Sequence, residues 1–186
     1  MAKGSAKQLS LDFEEQRRRS AARATPVTIR PAGPADIPAM AAIRSESWES
    51  QQFWEPRIGA YLAGNIGARQ ALPESAVFVA VLDGLVVGLV AGHRTTRHGC
   101  QGELQWINVA HEHRGAGIAG MLMAAMARWF ADQAACRVCV DVVPANTAAR
   151  ALYAKYGAVD LKPNWMVWED IRIALPASDS AGKFGV

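Results

Sequence analysis

Cysteine is scarce: three in 186 residues, too few for a disulfide scaffold. Long apolar runs are missing. None approaches the ~18–20 residues that span a bilayer, and the polar stretch from Met1 to Ser10 has no signal-peptide core. Together these absences lead us to expect a cytoplasmic protein with no membrane association. An excess of one charge is missing from most of the chain. The total is +3, and residues 1–26 account for it, with Lys3, Lys7, Arg17, Arg18, Arg19 and Arg23 against Asp12, Glu14 and Glu15. The remainder balances, so a folded body that binds nucleic acid through bulk basic charge is not expected. Metal-ligand spacing is missing too. Cys136-x-x-Cys139 has no second pair, and on a strand its two side chains would point to opposite faces. Cys100 stands alone, and His93, His98, His111 and His113 fall at expected turns.

What is present suits one packed domain. Hydrophobic residues make up 51% and charged residues 20%, which argues against global disorder. Three segments are expected: a flexible tail over 1–26, a domain over 27–175 and a frayed end over 176–186. Val27 to Arg30 alternates as a strand. Asp36, as N-cap, opens a helix to about Trp48, and a weaker helix covers Pro56 to Ile66. Ala76–Leu82 and Leu85–Gly92 read as a hairpin about Asp83-Gly84. Glu103–Val109 is a further strand. Gly120–Gln133 is a helix with the apolar stripe Leu122, Met126, Trp129 and Phe130. Arg137–Val143 is a strand, Thr147–Tyr156 a helix stopped by Gly157, and Trp165–Ile173 a last strand. The order, β-α-α-β-β-β-α-β-α-β, is α/β in the broad sense, an α+β arrangement with one mixed sheet flanked by helices.

The most informative stretch is Val109-Ala110-His111-Glu112-His113-Arg114-Gly115-Ala116-Gly117-Ile118-Ala119-Gly120. A strand ends, small residues follow, and a long helix begins. The free N–H groups of a first helical turn attract an anion, and the helix dipole adds to this. Arg114 contributes a permanent charge. The plainer alternative is a tight strand-to-helix turn. No Gly-Lys-Ser/Thr ending marks a nucleotide loop. Gly115-x-Gly117-x-x-Gly120 follows an antiparallel run rather than the first strand of a parallel sheet, which argues against a dinucleotide.

Arg114-Gly115-Ala116-Gly117-Ile118-Ala119 resembles the Arg/Gln-x-x-Gly-x-Gly/Ala signature of the GNAT superfamily of N-acetyltransferases. Asn146-Thr147-Ala148-Ala149-Arg150-Ala151-Leu152-Tyr153-Ala154-Lys155-Tyr156-Gly157-Ala158 resembles its second motif, Asn-x-x-Ala-x-x-Leu-Tyr-x-x-x-Gly-Phe, with Ala158 in place of Phe. The resemblance covers about residues 27–173 and implies a GNAT-like fold, acetyl-CoA as co-substrate, no metal, and direct transfer to an amine. It implies that Arg114 to Gly120 hold the pyrophosphate and that Ile107, Asn108 and Val109 pair with the pantetheine. The Val109 N–H would then donate to the thioester oxygen, and Asn146 would lie near the coenzyme. Dimers are frequent in this fold.

For the chemistry, Tyr153 is the chosen general acid, because a phenol of pKa ~10 can protonate a thiolate of pKa ~8.5; its plainer role is an aromatic packed on the sheet. Two carboxylates are candidates for the base. Glu103 is expected to share one face with residues 105, 107 and 109. Asp141 lies five residues before Asn146, and a water chain would also serve. Glu46, Trp48, Glu49, Phe53, Trp54 and Glu55 form an aromatic and acidic cluster suited either to a cationic amine or to the core.

Gln8-Leu9-Ser10-Leu11-Asp12-Phe13 matches Gln-Leu-x-Leu-x-Phe, the hexapeptide by which bacterial proteins dock on the DNA sliding clamp. A flexible terminus suits such a ligand. The alternative function is therefore an acetyl-CoA-binding adaptor tethered to the clamp through Gln8, Leu9, Leu11 and Phe13, with little or no catalysis.

Overall fold

The computed structural model describes residues 26–177. The hexapeptide at 8–13 and the end from 178 lie outside the described residues. β1 (Thr28–Pro31) leads through a short 3-10 turn to α1 (Ile37–Ser45) and α2 (Gln51–Leu62). β2 (Ala71–Leu82), β3 (Leu85–Thr95) and β4 (Gly102–Val109) follow, then α3 (Ile118–Asp132), β5 (Val138–Asp141), α4 (Thr147–Lys155), β6 (Val159–Lys162) and β7 (Trp165–Trp168). The seven strands form one sheet in the order β1-β2-β3-β4-β5-β7-β6. Only β4 and β5 run parallel; the other neighbours are antiparallel. This is the mixed sheet flanked by helices that the sequence predicts.

Both faces are covered. Leu122, Met126 and Phe130 of α3 pack on one face with Val90, Leu104 and Val140. Met40 and Ile43 of α1, with Trp54, Ile58 and Tyr61 of α2, pack on the other with Leu89 and Ala91. The β2–β3 turn has positive φ at Asp83 (50°) and Gly84 (80°), the twist that a two-residue hairpin needs.

Several boundaries differ from expectation for local reasons. Asp36 sits at the α1 N-cap position but caps no α-helical N–H. Its carboxylate accepts from the Gly33 N–H at 2.8 Å and from Arg30 at 2.7 and 2.8 Å. α1 ends at Ser45, three residues short of Trp48. α2 begins at Gln51, because Ser50 Oγ accepts from the Phe53 N–H at 3.2 Å and nucleates a turn ahead of Pro56, which lies inside the helix. The segment expected as one last strand from Trp165 to Ile173 is instead the strand β7 followed by a 3-10 turn at Ile171–Ala174. β6, short and mostly exposed, pairs with β7 at the sheet edge and was not expected. His93 lies within β3, fully buried, and not at a turn. Cys100 is not alone, since it packs in one cluster with Cys139, Trp165 and Val167.

Phe130 fills the space left by two glycines. A methyl group at Gly102 would lie 2.5 Å from its ring, and one at Gly92 2.7 Å. Gly102→Ala should therefore lower the stability by about 1–3 kcal/mol through overpacking. Gly33→Ala, where nothing lies within 4 Å, should stay within about 0.5 kcal/mol. Urea unfolding of the two variants side by side measures the difference.

Candidate functional site

β4 keeps its antiparallel partner β3 along its whole length, from Gly102 with Arg94 to Val109 with Gly88. Its parallel partner β5 stays only from Gly102 to Leu104. Beyond Leu104 the two strands part, and the β4 main chain from Gln105 to Val109 is left without a neighbour on that side. A bulge falls at the same place. Gly92 pairs with Leu104 and Ala91 with Trp106, so Gln105 is the extra residue. It reverses the alternation. Leu104, Ile107 and Val109 face α3, whereas Trp106 faces α1 and α2. Glu103 lies on the α2 face, beside His93. The expectation that residues 103, 105, 107 and 109 share one face therefore fails, because a strict period of two does not survive an inserted residue.

The gap between the strands opens into two adjoining cavities. One, about 290 Å³, runs from Ile107, Asn108 and Val109 on β4 across to Asn146, Ala149 and Leu152 of α4. The other, about 260 Å³, continues over Gly115, Gly117 and Gly120 to Lys155 and Tyr156. Gly115 and Gly117 both have positive φ, 81° and 82°, with open space where a side chain would stand. The N–H groups of Gly115, Ala116, Gly117, Ile118 and Ala119 have no acceptor among the described residues; the first main-chain bonds of the turn are Gly120 N–H and Met121 N–H to the Gly117 carbonyl. Five unsatisfied donors around two left-handed glycines make an anion cradle at the start of a 15-residue helix.

Arg114 borders both cavities, and its guanidinium is tied to the loop itself. Its Nε donates to the Val109 carbonyl at 3.0 Å, and a terminal nitrogen lies 3.4 Å from Glu46 Oε2. The same Glu46 oxygen accepts from the His111 N–H at 2.8 Å, so Glu46 and Arg114 together brace the loop. Asn146 borders the first cavity, but its Oδ1 caps α4 by accepting from the Ala149 N–H at 3.1 Å.

Tyr153, 6% exposed, stacks edge-on against Trp168 with ring centres 5.6 Å apart. Burial pushes its phenol up to about 12, and the Arg44 guanidinium pulls against that shift. A phenol so placed stays protonated at neutral pH. Arg44 comes from α1 and is absent from the sequence-based site. It donates to Asn108 Oδ1 at 2.7 Å and lies 3.8 Å over the Trp54 ring and 4.8 Å over Trp106. Burial brings it down to about 10, still charged at neutral pH. No carboxylate pairs with it among the described residues.

Glu103 lies on the same α1–α2 face as Arg44, further back along β4. Glu103, 4% exposed, faces Arg97 Nε at 3.0 Å. Burial raises its carboxyl pKa, Asp141 adds to the rise, and Arg97 opposes both. Asp141, exposed at the end of β5, is likewise raised by burial against the pull of Arg97 and His98. Within the aromatic and acidic cluster the residues divide. Trp54 is core and stacks on Trp106, while Trp48 is 64% exposed.

Residues 39–158 of the sequence match the acetyltransferase (GNAT) family. The chain belongs to the GNAT acetyltransferase family. Comparison with curated proteins found no match. Solved structures share the fold of this acetyltransferase at low identity. Ard1 from Thermoplasma volcanium is 21% identical with a TM-score of 0.60, covering 77% of this chain and 95% of its own. The PaiA N-acetyltransferase from Thermoplasma acidophilum, in complex with coenzyme A, is 12% identical with a TM-score of 0.58, covering 77% and 99%. The ribosomal-protein-S18-alanine N-acetyltransferase from Escherichia coli is 15% identical with a TM-score of 0.58, covering 77% and 93%. No helix among the described residues is long and apolar enough to cross a membrane. The five free N–H groups and the unpaired β4 edge fit the family's coenzyme.

Gly120 is the tightest point of this acetyltransferase's cradle. A methyl group there would lie 2.1 Å from the Tyr156 hydroxyl. Ala is otherwise favoured over Gly within a helix by about 1 kcal/mol, so Gly120→Ala should fold. Relief of the clash swings the Tyr156 ring over the cavity. Calorimetry should find acetyl-CoA binding about tenfold weaker in Gly120→Ala, a loss of about 1.4 kcal/mol, and restored when Tyr156→Phe is added.

Proposed function

We propose that this chain transfers the acetyl group of acetyl-CoA directly to a primary amine, without an acyl-enzyme. The observation that carries the reading is the meeting of two elements at one gap, the free N–H cradle and the unpaired β4 edge, with the buried Tyr153 ring close behind on α4 within the field of Arg44.

Acetyl-CoA, when bound, supplies an acetyl group activated as a thioester. The N–H groups of Gly115 to Ala119 would hold its pyrophosphate, and the main chain of Ile107 to Val109 would hold the pantetheine. The Val109 N–H is the donor for the carbonyl oxygen, where charge develops during attack. Tyr153 delivers a proton to the departing sulfur. A group that stays protonated to about 12 is always in the donor form at neutral pH, and Arg44 balances the negative charge left on the phenol. Glu103 and Asp141 give the acceptor side a negative field suited to an ammonium. Arg114 fixes the loop through Val109 and Glu46 and sets its charge at the border of the phosphate cavity.

Two measurements test this. Calorimetry should show micromolar acetyl-CoA binding. Tyr153→Phe should lower kcat about 10²–10⁴-fold, the range for loss of a general acid, with acetyl-CoA affinity changed by less than about twofold. Parent-rate turnover in Tyr153→Phe would remove it from the acid role. Absence of acetyl-CoA binding by the parent protein would remove the reading as a whole.

A further inference from the structure

A buried polar chain crosses the α2 face of the sheet. Tyr61 Oη, from α2, lies 3.0 Å from His93 Nδ1 on β3. His93 Nε2 lies 3.7 Å from Glu103 Oε2 on β4. Tyr61 is 4% exposed, His93 0% and Glu103 4%. Burying three polar groups together costs free energy unless each is satisfied. One is not: His93 Nε2 is buried without a hydrogen-bond partner and faces Glu103 Oε2, an oxygen that Arg97 Nε holds at 3.0 Å from its other side. A histidine kept only for packing would ordinarily have its buried ring nitrogens paired.

Burial and the nearby Arg97 bring His93 down to about 4, so it is neutral in use. A neutral imidazole has one donor and one acceptor. Its partners set the tautomer: Nδ1 accepts from the Tyr61 hydroxyl, and Nε2–H points at the carboxylate. The groups around Glu103 are Tyr61 from α2, His93 from β3, Arg97 from the β3–β4 connection, and Cys139 and Asp141 from β5.

The chain of groups ends outward at Tyr61, which borders a cavity of about 330 Å³ between α2, the loop at 65–68 and the β4 bulge. The Tyr61 and Trp106 rings, 4.9 Å apart, line it. Gln105, the bulged residue, lines it too, and its Oε1 is a buried acceptor with no donor. An unmet acceptor calls for an N–H. Arg57 also borders the cavity, and its charge is spent on the Phe53 ring at 3.5 Å and the Phe53 carbonyl at 2.9 Å.

We propose that this cavity receives the acceptor as a compact primary ammonium, and that Tyr61 and His93 relay its proton to Glu103. The inference rests on the acetyl-transfer reading. The step balances as follows: an ammonium N–H bond breaks and the proton joins Tyr61 Oη; the Tyr61 proton passes to His93 Nδ1; the His93 Nε2 proton passes to Glu103 Oε2. One proton leaves the ammonium, one arrives on the carboxylate, and the imidazole ends in its other tautomer. The amine nitrogen recovers the lone pair it needs for attack. The 3.7 Å gap closes by roughly 0.5–1 Å to reach hydrogen-bond length, a tightening common when catalytic groups engage substrate. Tyr61 is the group that touches the acceptor; His93 positions and relays.

The test offers the wild-type enzyme acetyl-CoA with ethanolamine, putrescine, tyramine and an alanine-started tetrapeptide, and follows thiol release from pH 6 to 10. The amine that reacts tells a free small amine from a peptide terminus. With that amine, Tyr61→Phe and His93→Gln should each lower kcat/KM about 100-fold at pH 7, with KM for acetyl-CoA unchanged. The deficit should shrink to less than about fivefold once the pH passes the amine's own pKa, where no proton needs removing. Equal deficits at every pH, or none, overturn the relay. Nitrogen-15 NMR of the wild type gives an independent readout, with His93 expected neutral and Nε2-protonated at pH 6; an Nδ1-protonated ring overturns the relay even if the variants fold poorly. If acetyl-CoA binds but none of the four amines reacts, the compact-ammonium assignment of this cavity and the relay fall together, whereas failure to bind acetyl-CoA removes the acetyl-transfer reading itself.

Discussion

The parting of β4 from β5 after Leu104 governs this molecule. A strand edge normally demands a partner for its N–H and C=O groups. Here β5 supplies one for three residues and then turns away through Pro144 into α4. The edge left behind, Gln105 to Val109, is a strand waiting for a guest. α4 then brings Ala149 and Leu152 to the far wall of the gap, with Tyr153 packed behind them against Trp168. Rigidity on the other side matters equally. β3 holds β4 from end to end, so the edge does not collapse when it is empty.

Charge is segregated by this geometry. At the gap end of the α1–α2 face, Arg44 donates to Asn108 and interacts with Tyr153, without a carboxylate partner among the described residues. Further back along β4 on that face, Glu103 is buried with Arg97, and Asp141 adds to the negative field. The first environment favours a negative group and the second a positive one. The two are separated by little more than the Trp106 ring, which touches both Arg44 and Tyr61.

Much of this was legible in the sequence. The periodic stripe of α3, the Asp83-Gly84 hairpin and the end of α4 before Gly157 (φ 91°) each follow from local rules and stand in the structure. α2 was misread because Pro56 resembles a helix start, whereas Ser50 makes the start. β6 was missed because a four-residue edge strand has little hydrophobic signal. In the site, the glycine loop announced itself by composition. Arg44, Tyr61 and His93 did not, since each acquires its meaning from contacts to elements distant along the chain. The one available hint for His93 was its alternation with Leu89 and Ala91, which places it on a buried face.

The bulge at Gln105 acts as a one-residue frame shift in the strand. Upstream of it, odd positions look toward α2; downstream, even positions do. A relative that lacks the extra residue, or carries it elsewhere between Gly102 and Val109, shows α2 a different side chain at the same count from the glycine loop. Acids aligned by counting alone are therefore comparable between members only where the strands slip at the same rung. Which β4 acid stands on the α2 face of this chain is a property of strand phase as much as of sequence position.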